Sequence, residues 1–566
     1  MRKTVLVIFS CFLSLLFVPK TYGQGQDKLL GLLKEELAQQ MKELKGEEFP
    51  PYHMNYRVID VTSSVVSASF GALMNSQQYR SRTLVPQIRL GDEKLDNFRF
   101  NQMGAAMSRY QGPSVARLPL DEENNEDAVR QAIWDEVNNR YKFAVDMYQK
   151  TKAESSVNVE EEDKAPYFSE AKVEKYYEAP LPAEKMTIDM DQWAARMKEI
   201  SAVFKNQPGI MKGDAIMIYT VERRYFVNNE GTEVVQNLPY ARIMVFGETK
   251  ADDGMELPLN LSYFAYDPAD LPANDKIIAD AKEMVKTLEA LRVAPVVDPY
   301  TGPALLSGPA SGVFFHEIFG HRIEGHRLKG GGETFKKKVG ELVLPADFQV
   351  YCDPTLRSYA GEELNGFYLY DDQGVKARRV DVVKDGVLRE FLMSRVPLDG
   401  FPRSNGHGRT AGGGDPVSRQ SNLVVETTAP HSEAELRSML IEEAKKQGKE
   451  YGYYFKEVTS GFTLTGEGGS LNSFNVTPLE VYRIYVDGRP DELVRGVDLI
   501  GTPLSMFSNI VCGGDTPSVF TGECGAESGW VPVTASSPMI LVNKIETQRR
   551  QKSRDLPPIL PAPGKN

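Results

Sequence analysis

The chain has few histidines and cysteines: among 566 residues there are six histidines and four cysteines. Cys11 lies near the N-terminus, and the remaining three are Cys352, Cys512 and Cys524. If the N-terminal segment with Cys11 is removed as a signal peptide, as argued below, three cysteines remain in an exported protein. An odd number of cysteines in an oxidising compartment excludes complete internal pairing and indicates a free thiol or a cysteine with another task. A Cys512–Cys524 or a Cys352–Cys512 disulfide stays open.

Beyond its N-terminus the sequence also lacks long apolar runs and basic stretches. No later segment approaches the ~20 apolar residues that a membrane span requires, so we expect no span in the mature protein. The net charge is −12 without a sustained basic stripe. This argues against nucleic-acid binding, which leaves a basic footprint on the sequence.

Residues 1–23 have the pattern of a secretory signal peptide. Arg2 and Lys3 form a basic start, residues 5–18 are apolar, and Gly23 is a small residue at the expected cleavage site. More apolar residues follow Cys11, which favours a leader without a lipidation site. We therefore expect an exported protein, either periplasmic or extracellular.

The remaining sequence predicts an α+β fold with two domains in each protomer. The N-terminal α+β domain is expected over residues 24–294 and the strand-rich C-terminal domain over 295–553, followed by a proline-rich tail, 554–566. Helical periodicity predicts helices at 27–45, 126–152 and 274–291. Alternating patterns predict a hairpin at 215–226 and 233–247, and C-terminal strands at 348–352, 375–383, 388–393, 422–426, 461–465 and 480–486.

The sequence His-Glu-Ile-Phe-Gly-His, which begins at residue 316, is the candidate site. His316 and His321 offer two metal ligands and Glu317 offers a base for activating water, which indicates a hydrolase centre. Ligands five residues apart on a regular helix diverge by roughly 140°. We therefore expect a π-turn, a kink or a helix end at residues 318–320, where Gly320 lowers the steric cost. The alternative is a regular helix with two unrelated surface histidines.

Three residues are candidates for a third metal ligand. His326 is the next histidine along the chain, and the Glu324 carboxylate is of a type that binds zinc. Cys524 lies in a glycine-flanked turn that can approach an ion closely, and bound zinc would deprotonate its thiol. The residue types alone leave all three open.

Seven segments of the C-terminal half occur in a specific order and spacing. They are the small-residue approach to His-Glu-x-x-x-His-x-x-Glu-Gly (316–325), Val-Gly-Glu-Leu-Val (339–343), Tyr-Asp-Asp-Gln-Gly (370–374), Asn-Gly (405–406), Val-Thr-Ser-Gly (458–461), Gly-Val-Asp-Leu-Ile-Gly (496–501) and Cys-Gly (524–525). From about residue 304 to 547 the chain thus resembles the TldD/PmbA family of metallopeptidases, in particular its TldD-like, metal-bearing branch.

The resemblance implies a zinc ion bound by His316, His321 and Cys524, with Glu317 as the catalytic carboxylate. It also implies a two-domain protomer that forms a homodimer, or a heterodimer with a metal-free paralogue, around an internal cavity. Small or unfolded peptides would enter this cavity and bind as an added strand at a sheet edge. His407 and Arg409, in the loop at 406–409, are candidate contacts for the substrate or the developing oxyanion.

The chain departs from the family pattern in two places near the site. His326 stands where relatives often have aspartate, and Ala526-Glu527-Ser528 stands where a basic residue and then Gly-Gln are expected. These departures concern substrate contacts more than the metal ligands. The expected function is an exported zinc-dependent peptidase, and the alternative is a noncatalytic, metal-stabilised peptide-binding or partner subunit.

Overall fold

The computed structural model describes residues 27–98, 115–121, 124–155, 163–329, 335–463 and 474–550. The expected signal peptide (1–23) and proline-rich tail (554–566) lie outside these ranges. Within them the chain is α+β and rich in strands, as predicted. None of its described helices is both long and apolar enough to cross a membrane.

The N-terminal half forms an eight-stranded sheet within the described residues, with the strand order β3-β2-β1-β6-β7-β5, β4 beside β2 and β8 beside β7. Its strands are β1 (Pro51–Ser69), β2 (Ala72–Asp92), β3 (Leu95–Asp96), β4 (Ala116–Arg117), β5 (Lys175–Tyr177), β6 (Ile210–Asn228), β7 (Glu233–Lys250) and β8 (Glu256–Ala265). Its helices are α1 (Lys28–Leu44), α2 (Glu126–Ser155), α3 (Met190–Ser201) and α4 (Asn274–Val293). The predicted helices and the predicted β6–β7 hairpin are confirmed.

Helix α1 shows why the periodic segments fold as predicted. The Asp27 side chain caps the helix by accepting a hydrogen bond from Leu30 N at 3.1 Å. Leu33, Leu37 and Met41 recur at helical spacing and are buried against the sheet, where α1 packs on β1 and β6. Burial of this apolar stripe stabilises the helix more than its intrinsic propensity does.

The C-terminal half forms an eleven-stranded sheet within the described residues, with β15–β16 and β11–β12 as separate pairs. Its strands are β9 (Tyr300–Leu306), β10 (Phe348–Cys352), β11 (Ser358–Tyr359), β12 (Glu362–Glu363), β13 (Val380–Lys384), β14 (Val387–Leu388), β15 (Gly408–Arg409), β16 (Val417–Ser418), β17 (Asn422–Thr427), β18 (Tyr451–Thr463), β19 (Phe474–Tyr485), β20 (Glu492–Val494), β21 (Val497–Gly501), β22 (Ile510–Ala526) and β23 (Gly529–Arg549). Its helices are α5 (Gly308–Ile318), α6 (Gly325–Lys329), α7 (Glu433–Lys446) and α8 (Pro503–Phe507).

Five strands of the second sheet form a closed ring, because the path β23-β21-β19-β18-β9 returns to β23. Strand β9 pairs in parallel with β18 and antiparallel with β23. Helix α5 follows β9 directly and packs against β18, β22 and β23. Its Phe314, Phe315 and Ile318 side chains are fully buried, so the helix is held rigidly in the core.

The strand predicted over 388–393 is wrong for most of its length, since only Val387–Leu388 pairs with β13. Beyond it the backbone bonds to other partners: Leu392 N donates to Ile323 O, and Met393 N donates to the Asn405 side chain. Through Leu392, residues 389–393 therefore hydrogen-bond to the 3₁₀ turn that follows α5. The predicted strand at 375–383 likewise begins only at Val380.

Arg395 links the C-terminal half to the first sheet. Its guanidinium donates to both carboxylate oxygens of Glu230, each at 2.7 Å, and to Ser169 O at 2.7 and 2.9 Å. Glu230 lies in the turn between β6 and β7, and the Phe168 ring lies 4.0 Å from the Arg395 guanidinium carbon. Arg395 is almost fully buried, so Glu230 and Ser169 replace the water that its charge would otherwise bind.

We expect Arg395→Ala to lower the free energy of unfolding by about 3 kcal/mol. This is the low end of the range for breaking a buried ion pair, because the Glu230 side chain is 31% exposed and is screened by water. Arg378→Ala removes an exposed arginine paired with Glu390 and should cost less than about 1 kcal/mol. Denaturant unfolding of both variants measures the difference. Equal losses would show that Arg395 does not hold the two halves together.

Candidate metal centre

The helix that carries the histidines ends between them. Ser307 caps α5 by accepting a hydrogen bond from Ala310 N, and the helix ends at Ile318. A 3₁₀ turn, Gly320–Ile323, follows at once and contains His321. The expected break at residues 318–320 is confirmed as a helix end, since the tighter 3₁₀ turn redirects the second histidine.

Gly320 permits this turn through close packing. A Cβ atom at this position would lie 1.9 Å from the Gln420 side-chain oxygen. The Gln420 amide nitrogen lies 3.3 Å from His316 O and donates to it, because that carbonyl is near the end of α5 and needs a partner. The glycine is therefore required by the approach of Gln420. Its φ angle is outside the left-handed region, so the steric cost that glycine lowers here is contact with Gln420.

His316, His321 and Cys524 converge in the structure. Each offers one ligand atom, and these atoms lie within 4.8 Å of one another. The His316 and His321 rings have centroids 4.9 Å apart, and Cys524 Sγ lies 3.4 Å from His321 Nε2. Glu317 is adjacent, with a carboxylate oxygen 4.0 Å from His321 Nε2. All four side chains are buried.

Cys524 reaches the histidines because β22 and β23 form a long hairpin in which Cys524 pairs with Val531. Arg419 holds the end of this hairpin. Its guanidinium donates to Cys524 O at 2.7 Å, and to Ser528 Oγ and Gly529 O at 3.0 Å each. Since Arg419 is fully buried, it fixes the thiol position relative to α5.

Glu324 orients His321. Its carboxylate lies 3.1 Å from His321 Nδ1 and accepts hydrogen bonds from Arg327 Nε at 2.7 Å and Gln420 N at 3.2 Å. A carboxylate on Nδ1 fixes the ring orientation and leaves Nε2 directed at Cys524. Glu324, considered above as a ligand, is thus outside the converging group and contacts one of its members.

The charges of the site are mutually dependent. Burial disfavours protonation of His321, but the neighbouring Cys524 thiolate and Glu324 carboxylate outweigh it and raise the His321 pKa to about 10. Burial also disfavours the Cys524 thiolate, yet His321 and His316 hold the Cys524 pKa well below its usual range. The arrangement therefore favours a thiolate, which is the form that binds metals.

His326, the other candidate ligand, is outside the converging group. It lies on α6 and faces Glu527, whose carboxylate is 3.7 Å from His326 Nε2. Glu527 also receives two hydrogen bonds from Arg327, at 2.6 and 2.8 Å. The two departures from the family pattern, at 326 and 527, are therefore in contact. They tie α6 to the turn that follows Cys524.

In the structure, His407 and Arg409 lie outside the group formed by His316, His321 and Cys524. His407 is fully buried, and its ring nitrogens lie 3.1 Å from Asn405 Oδ1 and 3.2 Å from Ser421 Oγ. Burial, with the charge of Arg409, lowers the His407 pKa to about 3. Arg409 donates to Gln420 O. Neither residue belongs to the converging group, and both nitrogens of His407 are occupied by protein atoms.

Cys352 and Cys512 are free and buried, as is Cys524, so neither of the disulfides left open by the sequence is present. Burial raises the pKa of Cys512 to about 11 and also raises that of Cys352. Both are thus neutral thiols in the core. Cys524 is the one of the three that lies with His316 and His321.

The donor set fits zinc. With Zn–N near 2.0–2.1 Å and Zn–S near 2.3 Å, tetrahedral geometry places N and S ligand atoms roughly 3.6 Å apart. The Cys524–His321 separation of 3.4 Å is close to this value. Two imidazoles and a thiolate are three protein ligands, the number that catalytic zinc sites use. His316, His321 and Cys524 would hold the ion, with Glu317 beside it.

Comparison with known proteins agrees with these features. Residues 299–549 match the PmbA/TldA metallopeptidase C-terminal domain. A metalloprotease from Archaeoglobus fulgidus is 30% identical over 272 residues, which are 47% of this chain and 58% of the relative. A zinc metalloprotease TldD homologue from Saccharolobus solfataricus is 23% identical over 254 residues, which are 43% of this chain and 51% of the relative. The matches thus span little more than half of each relative.

The fold of the whole chain has counterparts among solved structures. TldE from Thermococcus kodakarensis superposes with a TM-score of 0.59 at 14% identity, over 92% of this chain and all of TldE. This likeness concerns the fold, and it includes the N-terminal half that the sequence match does not reach. Residues 299–549 are thus similar to the C-terminal domain of PmbA/TldA metallopeptidases, and the superposition shows that the likeness of fold extends over most of the chain.

Proposed function

We propose that this protein is a zinc-dependent peptidase that hydrolyses small or unfolded peptides. The observation that carries the proposal is the convergence of His316, His321 and Cys524 beside the Glu317 carboxylate. Relatives named as metalloproteases, one of them as a zinc metalloprotease, support this choice of reaction and metal. A bound zinc ion supplies Lewis acidity, which polarises the scissile carbonyl and acidifies water.

The protein residues supply position and proton transfer. Glu324 and Arg419 hold His321 and Cys524 in place, so little reorganisation is needed during the reaction. Glu317 lies next to the ligand atoms and is the group that takes a proton from water and passes it to the leaving amine. With both ring nitrogens bonded to protein, His407 supports the loop and leaves donation to the oxyanion to another group.

We propose that the substrate binds as an added strand along β22. Among the described strands, β22 pairs only with β23, so its other edge is free of a strand partner, although Gly514 forms an isolated bridge with His431. Cys524 lies near the end of this edge. A peptide in extended conformation can hydrogen-bond to such an edge through its main chain, with little dependence on its sequence. This mode suits unfolded peptides.

Export and pairing are further parts of the proposal. The pattern of residues 1–23 supports secretion to the periplasm or the exterior. The family resemblance supports a homodimer or a heterodimer with a metal-free paralogue. The noncatalytic alternative keeps the same ligands without turnover, and the variants below distinguish it from a peptidase.

We expect Cys524→Ser to lose zinc and His326→Ala to retain it. Serine lacks a thiolate, so the affinity for zinc should fall by more than ~10–100-fold. That is the loss typical when a residue that hydrogen-bonds to a metal ligand is replaced. His326 is outside the converging group and serves as the matched control. Zinc per chain is measured by elemental analysis after dialysis. Full zinc in Cys524→Ser together with loss in His326→Ala would reverse the assignment.

We expect Glu317→Gln to keep stoichiometric zinc while peptide hydrolysis falls by about 10²–10⁴-fold, because the base is removed and the ligands stay. Glu341→Gln, at an exposed carboxylate paired with Lys338, should hydrolyse peptides like the wild type. Hydrolysis and zinc content are measured on the same samples. Zinc loss in Glu317→Gln would make this residue a ligand, and undiminished hydrolysis would exclude it as the base.

We expect Glu324→Gln to weaken zinc binding by about 10–100-fold, because a neutral amide orients and polarises His321 less than a carboxylate does. The zinc dissociation constant is obtained by competition with a chromophoric chelator, and thermal melting checks that the variant is folded. Glu341→Gln again serves as the surface control. A folded Glu324→Gln protein with wild-type zinc affinity would rule out the orienting role.

A further inference from the structure

A small cavity lies between the two halves of the protein, close to the hairpin that carries Cys524. Its volume is about 40 Å³, and the N-terminal sheet and the C-terminal half both line it. This volume admits about three water-sized atoms, the size of a carboxylate group. Arg357 is one of the lining residues and is itself exposed to solvent.

The cavity carries excess positive charge. Arg224, Arg357 and Arg409 line it, whereas Glu222 is the one acidic residue among the lining residues. Arg224 is already neutralised, since it pairs with Glu222 and with Asp372 behind it. Within the described part of the chain, neither Arg357 nor Arg409 has a carboxylate within ion-pair distance. Two guanidinium groups therefore lack an anion.

Arg409 is buried there with few partners. It is 4% exposed, and among the described residues its guanidinium makes one hydrogen bond, from Nη1 to Gln420 O. The Tyr368 ring lies 4.9 Å from its guanidinium carbon. Burial lowers the Arg409 pKa, and the charges of Arg224 and Arg419 add to this effect, while Tyr368 and Asp372 oppose it without cancelling it. A buried arginine of this kind is stabilised by an anion that reaches its remaining N–H groups.

Two sets of hydrogen bonds connect residues that line the cavity with the metal centre. Asn365, in its lining, donates to Gly522 O at 2.9 Å, and Gly522 precedes Cys524 by two residues on β22. At ~3.3 Å per residue, the point on β22 that Asn365 contacts is roughly 7 Å along the strand from Cys524. Gln420 forms the other connection, because it accepts from Arg409 and donates to His316 O.

We propose that this cavity is a carboxylate site, in which Arg409 and Arg357 bind an acidic group of the peptide about two residues from the bond that is cleaved. The inference rests on the proposed peptidase function and adds a substrate class to it. The carboxylate is either the C-terminus of the peptide or an aspartate or glutamate side chain. Both present the same planar pair of oxygens to a guanidinium.

The test measures peptide binding, without hydrolysis, in the full-length, zinc-loaded Glu317→Gln protein. Two pairs of fluorescein-labelled peptides are titrated by fluorescence anisotropy. The members of the first pair differ only at the C-terminus, which is a free carboxylate in one and an amide in the other. Both members of the second pair have an amidated C-terminus, and they differ at one internal residue, which is glutamate in one and glutamine in the other. We expect the acidic member of at least one pair to bind about tenfold more tightly, as a charge-assisted hydrogen bond provides. The pair that discriminates identifies the source of the carboxylate.

Two arginine variants then assign the preference to the cavity. Arg409→Gln and Arg357→Gln should each reduce it severalfold, and Arg357 is exposed, so its variant tests the site even if Arg409→Gln fails to fold. Arg489→Gln is the matched control for Arg357→Gln. Both arginines are exposed and lie over a tyrosine ring, Tyr266 for Arg357 and Tyr485 for Arg489, but Arg489 does not line the cavity. Its preference should equal that of the parent protein.

The absence of any acid preference, or a preference that survives Arg357→Gln, would overturn the carboxylate site. Failure of the peptidase proposal gives a different result, namely no hydrolysis by the wild-type protein of peptides that the Glu317→Gln protein binds. The two ideas therefore fail separately.

Discussion

Glu324 has no exposed surface, and its two oxygens contact His321, Arg327 and the backbone nitrogen of Gln420. Burial disfavours its negative charge, but His321 and Arg327 outweigh this and hold its pKa well below the usual range. The charge in turn keeps His321 oriented. A neutral residue here would leave the fully buried Arg419, 3.5 Å away, without its ion-pair partner and Arg327 with Glu527 alone, so ligand geometry and local stability depend on the same carboxylate.

Around Glu324, the site is assembled from parts of the chain that are far apart in sequence. The histidines come from the end of α5 and the 3₁₀ turn that follows it, the thiol from β22, and the supporting Arg419 and Gln420 from the segment between β16 and β17. Each part is held by a rigid element, because α5 is buried in the core and β22 is paired along most of its length with β23. Such placement puts the ligand atoms on packed elements of the fold, as a preorganised site requires.

The N-terminal half contributes indirectly. It is joined to the C-terminal half by Arg395 and Glu230, and its β6 and β7 provide one wall of the cavity that Arg409 faces. The cavity thus exists only when the two halves are docked. Docking and recognition of an acidic group are linked through the same interface, which gives the N-terminal half a part in substrate selection as well as in structure.

The sequence by itself determined the features that follow from local pattern. Apolar spacing located α1, α2 and α4, and alternation located the β6–β7 hairpin, because burial of one face depends on periodicity within the segment. The five-residue spacing of His316 and His321 required a break in the helix, since a regular helix directs the rings apart. The residue type at 317 predicted a carboxylate beside the histidines, and the structure places Glu317 next to His321.

The tertiary structure alone decided which distant groups meet. Cys524 is 203 residues from His321, and it is the candidate that converges with the histidines because the β22–β23 hairpin brings it there. His326 is only five residues away, yet it faces Glu527. Glu324 lies outside the converging group and contacts His321, and nothing in the sequence around Arg419 indicated its contact with Cys524 O. The contacts of Cys524, Glu324 and Arg419 are fixed by long-range strand pairing and by the cost of leaving a buried charge uncompensated. Neither of these two constraints can be recognised from the local sequence.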